Sequence, residues 1–148
     1  MPTVASLSRI LAGRCGAAIT AASLDGRAES DVWLDPLASA ARALGYDLAD
    51  STTIDDADVA GLDADGVEAI LAVAEVRALE TALANYTKVD QTVALGSRKL
   101  GQYRTDLEAM IVRKSADLMR NYGIGVGTVT SGTVDLGFSE VSDEACGW

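Results

Sequence analysis

The sequence predicts a mainly α fold: a helical bundle built on two long antiparallel helices, followed by a C-terminal extended arm or β-hairpin. Three observations predict it. Apolar residues recur at helical spacing over residues 66–86 and again over 100–122. The chain is 49% hydrophobic but only 5% aromatic, and alanine makes up much of the difference, a composition that suits closely packed helices better than a sandwich. After Tyr122 the helix formers vanish and period-two alternation replaces them. At 148 residues, the length suits one bundle domain over 1–122 and an arm with a tail over 123–148.

In chain order, residues 3–14 form a short first helix with Thr3 as N-cap and Val4, Leu7, Ile10 and Leu11 on one face. Gly13 and Gly16 blur its end, so Ala17–Ser23 continues the helix or begins a loop. Asp25-Gly26 marks a turn, and Trp33 anchors the segment that follows. Asp35-Pro36 starts a helix over 36–44, with Asp35 as N-cap and Gly45 just past the end. Asp55 caps a short turn that points Val59 and Leu62 inward, and Asp63 or Asp65 caps the first long helix.

That helix carries the stripe Val67, Ile70, Leu71, Ala74, Ala78, Leu79, Ala82, Leu83 and Tyr86. The second carries Leu100, Tyr103, Leu107, Met110, Ile111, Leu118 and Tyr122. Each stripe needs burial, and the nearest surface is the other stripe. The spacings Glu75 to Leu79 and Asp106 to Met110 show no ion-pair ladder, so these helices are expected to rely on packing. Residues 87–99 read as an extended, partly buried link through Val89, Val93 and Leu95, with Ser97 as the next cap. Ile124, Val126 and Thr128, then Val134, Leu136 and Phe138, alternate about Ser131-Gly132, as two strands of a hairpin would. A lone hairpin is marginal in water and needs a partner surface. Trp148 ends the acidic tail as an aromatic in need of cover.

Charge narrows the function. The net charge of −10 argues against binding nucleic acid by phosphate neutralisation. It is unevenly spread: residues 25–90 carry 15 acids and 4 bases, whereas 98–120 carry 6 bases and 3 acids. Such a chain can pair with copies of itself, basic helix to acidic neighbour. No apolar run is long enough to cross a bilayer, and the N-terminus lacks a signal-peptide pattern, so cytoplasmic synthesis without membrane association is expected.

No catalytic, cofactor or metal site is expected. The chain has no histidine, so a Ser-His-Asp or Cys-His arrangement cannot form within it. Cys15 and Cys146 are isolated thiols outside any C-x-x-C pattern. The aspartates at 55–65 suggest calcium, yet an EF-hand register that places Gly66 at the loop glycine puts Gly61 at the first ligand and Ala72 at the twelfth, where a bidentate acid is required. They read as helix caps. Gly123, Gly125 and Gly127 follow a helix and precede strand-like sequence, the reverse of a phosphate-binding loop.

The order of elements over residues 35–140 resembles the head-to-tail connector, or adaptor, proteins of tailed bacteriophages and prophages. The likeness rests on an Asp-Pro-Leu-x-x-Ala helix followed by LGYDLADSTTIDDADVAGL, then the long helix VEAILAVAEVRALETALANY, then the connection KVDQTVALGSRKLGQYRTDLEAMI. The resemblance implies a structural virion protein without catalysis, located in the particle neck after assembly in the host cytoplasm. It implies a homo-oligomeric ring of about twelve copies under the portal protein, with a downstream neck or tail protein as its other partner. DNA would pass through without sequence-specific binding, since an acidic wall repels phosphates. Ile124, Val126, Val134, Leu136, Phe138 and Trp148 are the expected partner-binding residues of the arm. Another neck or tail component, such as a head-completion or stopper protein, or a small helical interaction or regulatory protein with no virion role, fits the same residues.

Overall fold

The computed structural model describes residues 1–92 and 98–125, and among them the chain is mainly helical and holds no strand. The helices are α1 (Val4–Ala21), α2 (Leu34–Ala43), α3 (Asp56–Val59), α4 (Ala64–Thr92) and α5 (Arg98–Tyr122), with a 3₁₀ turn at Asp31–Trp33 before α2. Residues 126–148 of the predicted hairpin or arm lie outside the described residues, as do Val93, Leu95 and Ser97 of the link.

Thr3 caps α1 as expected, in a reciprocal box: its Oγ1 accepts from the Ser6 N–H at 3.2 Å and its own N–H donates to Ser6 Oγ at 3.0 Å. The helix then runs seven residues past the shorter prediction. Gly16 does not end it; it lets the following loop come close. A Cβ on Gly16 would lie 2.7 Å from the Gly26 carbonyl oxygen, so the two glycines let backbone rest on backbone. The true end is a Schellman arrangement, in which Ser23 N–H donates to Thr20 C=O (3.0 Å) and Leu24 N–H to Ile19 C=O (3.1 Å), with Ser23 in the left-handed region at φ +63°. Trp33 is fully buried and donates its indole N–H to the Arg27 carbonyl at 2.8 Å, which ties the loop down as predicted.

Helix α2 starts two residues before the expected position. Ser30 Oγ caps the 3₁₀ turn by accepting from Val32 N–H, and α2 grows out of that turn. Asp35 is therefore a first-turn residue and not the N-cap, and Pro36 still sits where its missing N–H costs no helical bond. The C-terminus matches the prediction: Gly45 has φ +82°, with Gly45 N–H on Arg42 C=O and Tyr46 N–H on Ala41 C=O, both 3.0 Å. Asp55 and Asp58 form a capping box on α3, and Asp56 accepts the Val4 N–H at 2.7 Å, joining α3 to the start of α1. Asp63, not Asp65, caps α4 through the Gly66 N–H at 2.7 Å.

Helix α4 is the centre of the bundle. It packs on α1, α2 and α5, and Val73, Ala74, Val76, Ala78, Leu79 and Ala82 are buried around most of its circumference. One stripe against one partner, the expected arrangement, understates it: a helix apolar nearly all round is one covered from several sides. It also continues through residues 87–92, where an extended link was expected. Helix α5 runs antiparallel to it, since Glu75 meets Lys114 while Tyr86, further along α4, stacks on Tyr103, further back along α5 (ring centroids 6.1 Å apart).

Candidate functional site

Two features of the α4–α5 contact stand out: a charged crossing inside it and an uncovered face outside it. Glu75 lies in the middle of the apolar run of α4 and is 8% exposed. A buried carboxylate needs compensation. Lys114 of α5 supplies it at 2.7 Å, and Arg14 of α1 lies 3.9 Å from the other carboxylate oxygen. Arg14 in turn donates to both oxygens of Glu68, at 2.9 and 3.0 Å. The chain Glu68–Arg14–Glu75–Lys114 thus links α1, α4 and α5. It lines a cleft of about 190 Å³ that Asp117, Leu118, Asn121 and Tyr122 complete.

Cys15 sits beneath this network. Burial, then the Glu75 carboxylate, push its thiol up to about 12, and the Sγ–H donates to the Leu11 carbonyl at 3.3 Å. A thiol held protonated and bonded to its own helix is a packing group, not a nucleophile. Both cations of the cleft are committed to carboxylates. The arrangement therefore fastens three helices.

Of the aspartates at 55–65, Asp55, Asp58 and Asp63 accept backbone N–H groups at helix starts and the adjoining loop. The Asp58 carboxyl is held below its ordinary value by the N–H groups of Asp55 and Ala49. Among the described residues no group of acids or thiols is placed to hold a metal.

The second feature is the outer surface of α5. Three side chains are buried at its seam with α4: Leu107, Ile111 and Leu118. At about 2 kcal/mol each, with the Glu75–Lys114 pair beside them, they attach a helix of 25 residues. Three other residues of its predicted stripe are less covered: Tyr103 and Met110 are 40% exposed and Tyr122 39%. Val112 (64%) and Met119 (56%) lie outside that stripe and point outward. Large apolar groups are commonly exposed one at a time, but several on one helix mark a surface built to be covered.

Of the arm residues singled out in the sequence, Ile124 is described. The chain turns at Gly123 (φ +65°), whose N–H caps Met119 C=O at 3.1 Å, and Ile124 is partly buried against the bundle core. Val126, Val134, Leu136, Phe138 and Trp148 lie outside the described residues. Sequence reasoning missed Glu75, Lys114 and Arg14. The available signal was a lone glutamate inside an otherwise apolar stretch, Ala69–Val76, where a solvated acid would be out of place.

Compared with known proteins, the chain matches no family model, no curated protein and no solved structure.

Proposed function

We propose that this chain is a structural subunit of a tailed-phage head-to-tail connector: one copy of a ring of about twelve that sits beneath the portal, joins capsid to tail and lets DNA pass. The observation that carries the reading is the incomplete cover of α5: Tyr103, Met110 and Tyr122 at the borders of its seam, and Val112 and Met119 away from it, are exposed on a helix held by that one narrow seam. A subunit that functions alone gains nothing from such a surface; one covered by its neighbours does. The acidic balance of the chain supports a channel wall that does not hold phosphates. The resemblance over residues 35–140 supplies the assembly.

In this reading the segment beginning at Ile124 is the arm that grips the portal or a neighbouring copy, through Val126, Val134, Leu136, Phe138 and Trp148. Removing residues 126–148 leaves the helices folded and abolishes ring formation or portal binding. Unchanged assembly by the truncated chain would dismiss the arm. The test of the function is quantitative mass spectrometry of purified particles from the source. A copy number near that of the portal protein is expected. Absence from the particle would end the connector reading and leave a helical interaction protein of another kind.

A further inference from the structure

One flank of α5 carries a second stripe. Thr105, Ala109, Val112, Ala116 and Met119 recur at spacings of four and three, share one side of the helix and are all exposed. None is charged, and all but Thr105 are apolar. At 100° per residue the stripe lies roughly 140° round the helix from the Leu107–Ile111–Leu118 seam. Tyr103 and Met110 border the seam on its other side.

The chain itself leads onto this stripe. Gly123, at φ +65°, reverses its direction after α5. Ile124 then packs against the bundle core, and a Cβ on Gly125 would lie 3.5 Å from Met119 Cε, an ordinary contact. At Gly125, where the described residues end, the backbone therefore stands beside the last residue of the stripe. The sequence that follows suits such a surface: residues 126–134 read VGTVTSGTV, without charge, and the first acid is Asp135. The length fits as well. The helix rises about 21 Å between Thr105 and Met119, a distance that about seven residues of extended chain span. Counted from Gly125, that reaches the Ser131-Gly132 turn expected from the sequence.

We propose that residues 126–132 run back along α5 and cover its Thr105–Met119 stripe in the isolated subunit. The occupant is the chain's own segment, because a segment tethered at Gly125, beside Met119, meets the stripe at an effective concentration that a second copy in solution does not match. The driving force is burial of Val112 and Met119, with no charge pairing required. The proposal goes beyond the connector reading and does not need it. Where both hold, the arm rests on its own helix until the portal or a neighbouring copy draws it away, which holds free subunits back from premature assembly. Tyr103 and Met110, on the other flank, stay open to neighbours.

The test is disulfide trapping in the full chain, with Cys146→Ser so that the remaining native thiol, Cys15, is a buried one. About three extended residues beyond Gly125, the segment is level with Val112. Val112→Cys is therefore paired with Thr128→Cys and, separately, with Val129→Cys, and each is exposed to oxidised glutathione. At least one pair should close within the chain, at a rate unchanged by about tenfold dilution and at least about tenfold faster than Met110→Cys with the same partner. Met110 is the control because it lies near the same level on the uncovered flank. Val112→Lys should lower the melting temperature by several degrees, whereas a bare helix position would tolerate it. Absence of closure, equal closure from Met110→Cys, an unchanged melting temperature, or disulfides formed only between chains overturns the cover; the last would put the segment on a second copy. Closure within the chain by a protein absent from particles keeps the cover and ends the connector reading. Presence in particles without closure does the reverse.

Discussion

Replacing Lys114 by Met tests whether Glu75 holds the bundle together or only occupies it. The Glu75 side chain is 10% exposed and its nearest cation is Lys114 Nζ at 2.7 Å. Taking one partner from a buried pair costs about 3–5 kcal/mol, because the remaining charge is left uncompensated. Two facts reduce that here. Lys114 is 34% exposed, so water can enter where it leaves, and Arg14 stays at 3.9 Å, although Glu68 shares it. An expected loss of about 2 kcal/mol results, or roughly 4–8 °C in melting temperature for a chain of this length. Lys114→Met with Glu75→Leu should recover most of it, since an ion pair replaced by apolar groups is often neutral. The assay is urea unfolding followed by circular dichroism, run on the four members of the double-mutant cycle. If Lys114→Met alone lies within about 0.5 kcal/mol of wild type, Glu75 is solvated and the tie between α1, α4 and α5 does not exist.

Four further outcomes follow from the geometry. Ser23→Gly should stabilise by about 0.5–1 kcal/mol, because Ser23 holds φ +63° without the freedom of glycine, and thermal melts would show it. Gly26→Ala should destabilise by about 2–3 kcal/mol in the same melts, since its Cβ would meet the Gly16 carbonyl oxygen and lie 2.5 Å from Thr20 Oγ1. In a Cys146→Ser background, Cys15 should resist thiol reagents near neutral pH until the chain unfolds, and fast labelling of the native protein would contradict its burial and raised value. The lowered values of Asp58 and Asp50 mean that the folded state binds fewer protons than the unfolded one. Their contribution is present above the ordinary carboxylate value and is lost as pH falls through the lowered folded value. Acid unfolding should therefore begin below about pH 4, and Asp58→Asn should reduce the pH dependence there.

Local signals in the sequence were reliable where one residue does one job. Thr3 and Asp55 cap the helices they are expected to cap, Asp63 is the one of the two candidates that caps α4, and Gly45 ends α2 in a left-handed conformation. They failed where the cause is distant. Gly16 looks like a helix stop, but its role is set by Gly26, ten residues on, and the real stop is a serine in a position that usually takes glycine. Asp35-Pro36 looks like a cap because nothing in the pair announces the 3₁₀ turn that Ser30 starts. Val89, Val93 and Leu95 suggest an extended link over 87–99, yet α4 carries on through Thr92. Of the candidate site, the apolar residues of α5 could be found but their exposure could not, because period tells which residues share a face and not which face is covered. The Glu75–Lys114 pair spans two helices: the lone acid in an apolar stretch hints at Glu75, but nothing in the spacing of α5 names Lys114 as its partner.

The central place of α4 has a consequence for how the chain matures. Its partners α1 and α2 precede it in the chain and α5 follows it, so the surfaces that pack α1, α2 and α4 together are all synthesised before α5. Helix α5 is attached to them by one seam and one charged pair. That makes it the first helix to detach when the protein is stressed, and its amides should exchange with solvent faster than those of α4 under native conditions.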